Sequence, residues 1–87
     1  MEIKALREKI DMLDGEIQRL LCERFEVVKK IGEEKIKLKK SVCDTAREKE
    51  ILEKIDKLPY EKDILAAVTN LYEEIFVFAK ELQNNQT

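Results

Sequence analysis

Eighty-seven residues allow one domain, and a core drawn from so short a chain is marginal unless it is stapled or shared with a partner. The 17 Lys and Arg against 19 Asp and Glu leave a net charge of −2 with the signs interleaved, which argues against a nucleic-acid stripe or a membrane-binding surface. Cys22 and Cys43 lack CxxC spacing and there is no histidine, so a metal site is not expected and both cysteines read as free thiols.

The opening MEIKALREK has no apolar signal core, and no run approaches the roughly 18 apolar residues a spanning helix needs, which points to the cytoplasm. From Ile3 the chain reads as one uninterrupted amphipathic helix, predicted over about residues 3–39. Its apolar positions are Ile3, Leu6, Ile10, Leu13, Ile17, Leu20, Leu21, Val27, Val28, Ile31 and Leu38, spaced by threes and fours as one helix face demands. Arg24 and Lys35 interrupt that stripe, projecting almost where Ile17 and Leu6 do at about 100° per residue. At about 1.5 Å per residue the helix is about 54 Å long, whereas a compact chain of this size has a radius of gyration near ~12 Å. The helix therefore outruns its own domain, and an intertwined homodimer with long helices crossing is the economical way to cover the stripe. Gly15 and Gly32 inside it, each costing about 1 kcal/mol relative to alanine, raise the expectation of a close backbone approach. Lys37, Lys39 and Lys40 suit a helix C-terminus, where they oppose the macrodipole.

Ser41–Cys43 is then a connector, and a second helix is predicted over about 45–57. Asp44 or Thr45 is its N-cap, and Thr45 with Glu48 has capping-box spacing. Its apolar stripe is Ile51, Leu52, Ile55 and Leu58, with Glu48 projecting into it one turn back and Arg47 at its edge. Leu58-Pro59 breaks the chain, with Pro59 suited to the first turn of a new helix. The third helix, about 60–83, carries a broad face of Ile64, Leu65, Val68, Leu71, Tyr72, Ile75, Phe76, Phe78, Ala79 and Leu82. Gln83 projects along the line of Leu65, Tyr72 and Phe76, and the polar tail from Asn84 to Thr87 is expected to fray. The fold class is all-α: one domain, residues 1–87, of three unequal helices.

Arg24, Lys35, Glu48 and Gln83 thus sit on core faces, with Arg7 and Arg47 at stripe edges. Singly, each has a structural explanation: a long side chain can snorkel, Glu48 can cap, and a buried polar group can fix helix register. Together they describe a positive cavity for a small polyanion, because arginine binds carboxylates bidentately while lysine and an amide donate to a further oxygen. Glu48 would accept from a hydroxyl, and Val28, Ile31, Phe76 and Ala79 would form the apolar lining. With no activated nucleophile, G-x-S-x-G or glycine-rich loop, the chemistry should need only positioning and electrostatics.

Leu6-Arg7-Glu8-Lys9-Ile10-Asp11 with Leu13-Asp14, Glu23-Arg24, Gly32 and Lys35 resembles the first helix of the helical (type II) chorismate mutases. Asp44-x-x-Arg47-Glu48 resembles their second motif, and Gln83 falls where the family keeps glutamine or glutamate. The resemblance covers the chain from Leu6 to Gln83. It implies an entangled dimer of three-helix protomers and a Claisen rearrangement of chorismate to prephenate, with no metal, cofactor or covalent intermediate. It further implies that Arg24 and the partner protomer's Arg7 clamp the two carboxylates. Lys35 would be shared between a carboxylate and the ether oxygen, and Gln83 would be the second donor to that oxygen. Glu48, with the backbone around Asp44, would hold the ring hydroxyl, and Arg47 would contact a carboxylate.

Two positions depart from the family pattern: Ala79 stands where many members carry serine, and Lys80 where an apolar residue is common. With no room for a fused dehydratase, dehydrogenase or regulatory domain, a stand-alone mutase is the expectation. The rivals are isochorismate-pyruvate lyase, which shares the fold and a similar cationic site, and a non-catalytic helical dimerisation module whose buried charges only set register.

Overall fold

The computed structural model describes residues 2–41 and 43–84; Val42 of the connector and Asn85–Thr87 of the tail lie outside the described residues. It contains three helices, α1 (Ile3–Leu38), α2 (Thr45–Asp56) and α3 (Lys62–Asn84). The C-terminal half of α1 packs on α3, and α2 packs on α3 as well. The molecule measures 54 × 24 × 15 Å with a radius of gyration of 16.0 Å, well above the roughly 12 Å of a compact chain of this length. The long axis is α1 itself.

Several local features fix the helix ends. α1 stops without a glycine: Lys39 adopts the left-handed conformation at φ 57°, and Lys39 N–H donates to Ile36 O (3.1 Å) while Lys40 N–H donates to Lys35 O (2.8 Å). That pair of bonds is the Schellman arrangement, which satisfies carbonyls the helix would otherwise leave open. α2 is capped by Asp44, whose side chain accepts from Arg47 N–H at 3.0 Å. Thr45 is therefore inside the helix, and the capping box expected between Thr45 and Glu48 does not form. Glu48 instead pairs with Lys80 of α3. Pro59 also departs from expectation. It lies in the bend Leu58–Tyr60, and α3 begins only at Lys62, because the turn is closed by Leu58 N–H to Ile55 O and Tyr60 N–H to Leu58 O.

The core is small. Val28 of α1, Ile55 of α2 and Ile75 and Phe76 of α3 are its buried apolar residues, with Gln83 as the buried polar one. Gly32 explains how α3 comes so near: a Cβ there would stand 3.2 Å from Gln83 Cα and 3.0 Å from its Cγ. Gly15, by contrast, has nothing within 4 Å, so the close approach expected there is absent among the described residues.

From Glu2 to Leu20 every residue of α1 is exposed, including Ile10 at 53%, Leu13 at 55% and Leu20 at 52%. The chain exposes 7323 Å², about 2,000 Å² more than the roughly 5,300 Å² of a compact monomer of its mass.

Candidate active site

A cleft of about 440 Å³ opens between the C-terminal half of α1, the start of α2 and the end of α3. Its walls carry Arg24, Lys35, Asp44, Arg47, Glu48 and Gln83, six of the seven residues singled out in the sequence. The apolar lining of Val28, Ile31, Phe76 and Ala79 is there too, together with Val27 and Ile51. Four cations, counting Lys80, face two carboxylates across it, so the cleft favours an anion of more than one negative charge.

Each helix positions its contribution differently. On α1, the 3.6-residue period brings Arg24, Val28, Ile31 and Lys35 onto one face. Arg24 lies with its guanidinium carbon 5.8 Å from the Tyr72 ring centroid and 5.9 Å from that of Phe76, and those two rings meet edge to face at 5.9 Å. The aromatic pair holds the guanidinium by cation–π attraction. It leaves Nη1 buried without a hydrogen-bond partner among the described residues. A buried, charged donor left unsatisfied is costly, and an incoming carboxylate would remove that cost. Tyr72 was legible as an apolar-face residue but not as a support for Arg24.

Gln83, 7% exposed, donates from Nε2 to Val28 O at 3.2 Å across the α1–α3 contact that Gly32 permits. An amide nitrogen carries two N–H groups, so one remains for a ligand. On α2, Asp44 caps the helix while Arg47 points outward, its Nη1 3.1 Å from Glu50 Oε2 on an exposed surface. Arg47 therefore reaches the cleft only from its rim. Glu48 is half-buried and its Oε2 lies 3.0 Å from Lys80 Nζ. Lys80 is held above its usual 10.5 first by that hydrogen bond, with desolvation opposing and the charges of Glu48 and Cys43 adding.

Lys80 is the charged lining residue that the sequence reading treated only as a departure. Its position four residues after Phe76 and three before Gln83 was the available signal. Arg7 is not brought to the cleft within the protomer. It is exposed on the free half of α1, about 25 Å from Arg24 along the helix axis.

Residues 6–84 match the family described as chorismate mutase type II. The chain belongs to that family. It is 41% identical over 80 residues to a bifunctional chorismate mutase/prephenate dehydratase of Aquifex aeolicus, an alignment covering 85% of this chain and 22% of that relative. The chain thus spans about a fifth of that relative's length. Among solved structures it resembles the form II chorismate mutase of Thermus thermophilus, with a TM-score of 0.87 and 33% identity over 97% of this chain and 96% of the other. The cleft therefore lies in a chorismate mutase type II fold along nearly its whole length. No described helix is long and apolar enough to cross a membrane, and no cluster of metal-ligating side chains occurs among the described residues.

Proposed function

We propose that the chain converts chorismate to prephenate in the cleft between α1, α2 and α3, working as an intertwined homodimer that shares each site between protomers. The observation that carries this reading is the buried, unpartnered Nη1 of Arg24, set in a cleft with Lys35 and Gln83 in a chain of this family.

The rearrangement is unimolecular. The ether C–O bond of the enolpyruvyl side chain breaks while a C–C bond forms to the ring, and no proton is exchanged. The protein's work is to hold the compact, reactive conformer and to stabilise the charge that grows on the ether oxygen. Arg24 takes one carboxylate through its buried face, where low polarity strengthens the pair. Lys35 bridges a carboxylate and the ether oxygen, and the second N–H of Gln83 donates to the same oxygen. Glu48 accepts from the ring hydroxyl beside the Asp44 backbone, and Arg47 contacts a carboxylate at the rim.

The second carboxylate falls to Arg7 of the partner protomer. The bare stripe from Ile3 to Leu20 and an excess surface of about 2,000 Å² per protomer support the dimer, since two such faces together match the area of obligate interfaces. Purified protein should remove the ultraviolet absorbance of chorismate with matching formation of prephenate, and release no pyruvate from isochorismate. Pyruvate release without prephenate formation would favour the lyase instead, and inertness towards both, without saturable binding of a dicarboxylate, the dimerisation module.

A further inference from the structure

Lys80 is an unexpected charge in an apolar wall. It lines the cleft between Phe76 and Gln83, and its ammonium lies 3.0 Å from Glu48 Oε2. The other ion pairs on the described surface differ in kind: Arg19–Glu23, Lys37–Glu34 and Arg47–Glu50 each join residues three or four apart on one helix, with both side chains more than half exposed. Such pairs contribute little. Lys80–Glu48 instead joins α3 to α2 across the cleft, with side chains 36% and 24% exposed.

The pair also divides the carboxylate. Lys80 engages Oε2, and Oε1 is the oxygen this pair does not use. We propose that Lys80 is a positioning residue of this site: by fixing Oε2 it turns Oε1 towards the cleft as the acceptor for the substrate hydroxyl, and it offsets the repulsion between Glu48 and a dianionic substrate. The inference rests on the mutase reading above. Without Lys80, an unpaired carboxylate would stand in the wall of a site that must bind two others, and its rotamer would be free.

The chemical consequence is specific. A Lys80 that acts through Glu48 governs substrate binding and leaves the ether-oxygen donors, Lys35 and Gln83, untouched. Replacing Lys80 by valine should therefore raise KM about tenfold, more than an exposed pair contributes and less than a fully buried one, with kcat within about threefold of wild type. Lys80→Arg, which restores a cation able to reach the carboxylate, should recover most of the loss.

The decisive measurement is a double-mutant cycle with Glu48→Gln, read as KM and kcat for chorismate. Lys80→Val should cost about tenfold in KM in the wild-type background and less than about twofold in the Glu48→Gln background. Equal costs in both backgrounds would mean that Lys80 acts on substrate or on folding independently of Glu48, and would overturn the proposal, as would an unchanged KM in Lys80→Val. Circular dichroism checks that the variants fold; Lys80→Gln, which keeps the length and loses the charge, replaces the valine variant if it does not. A wild-type protein that left chorismate unchanged would remove the mutase reading, and this inference with it, whereas an active wild type with an additive cycle would sink the inference alone.

Discussion

The two halves of α1 share one hydrophobic period and meet opposite fates. From Ile3 to Leu20 the stripe is wholly apolar and wholly exposed, whereas beyond Leu21 it contains Arg24 and Lys35, buries Val28 and Gly32 and walls a cleft. Periodicity defines a face but does not say what covers it. α3, at 23 residues, reaches about 34 Å and cannot cover both halves. The half it covers carries its polar interruptions, Arg24 and Lys35, in the wall of the cleft. The half it leaves bare carries a stripe of apolar residues only, an exposed patch of the kind that marks interaction surfaces.

The largest effect should come from charging the bare half. Leu13→Asp lies on the stripe, while Met12→Asp, one residue away, projects far off it although Met12 is 73% exposed. Leu13→Asp should abolish the dimer and most of the helical signal, because a desolvated carboxylate in a dimer interface has no partner. Met12→Asp should sediment and melt like wild type. Equal behaviour of the two variants would mean the stripe is not an interface.

In the covered half, Gln83→Glu should lower kcat at neutral pH by about 10²–10³. The new carboxylate would face both Val28 O and the developing charge on the ether oxygen, so burial and repulsion raise its pKa above the usual value near ~4.3. Protonation restores a donor, and activity should rise as pH falls from about 8 to 5. A profile parallel to wild type would remove Gln83 from the ether oxygen.

The glycines sharpen the same contrast. Gly32→Ala drives a Cβ against the Gln83 backbone and should cost about 1–3 kcal/mol in stability together with activity. Gly15→Ala meets nothing, projects away from the stripe, and should stabilise the helix by up to about 1 kcal/mol. Thermal melts of the two should move in opposite directions.

The smallest effect concerns Lys80. Its pKa is raised above 10.5 by Glu48, so from neutral pH up to 10.5 the pair's contribution is fully present, and on the alkaline side it fades only as pH climbs past the raised value. Stability curves of wild type and Lys80→Val should run parallel from neutral pH to 10.5 and converge above it. Convergence at neutral pH would contradict the pairing.

How legible these features were in the sequence follows from their range. α1 and its two cationic interruptions could be read because side chains three and four apart share a face whatever surrounds them. Gln83 was legible for the same reason, and its bond to Val28 O was not, because that requires the α1–α3 contact made at Gly32. The choice between Asp44 and Thr45 as cap was open since both residue types serve, and it decided whether Glu48 turned to its own helix or to Lys80. Pro59 was read as the first turn of α3 from its fixed φ, but the bend after Ile55 satisfied the backbone first.

In the proposed dimer the two halves of α1 serve different protomers, the covered half walling its own cleft and the bare half carrying Arg7 into the partner's. Arg7→Ala and Arg24→Ala proteins should each lose at least about a hundredfold in kcat/KM alone. Refolded together in equal amounts, they form heterodimers with one intact site, so the mixture should recover about a quarter of wild-type activity by random pairing. Activity no higher than the average of the two parents would contradict the shared site and the account built on it.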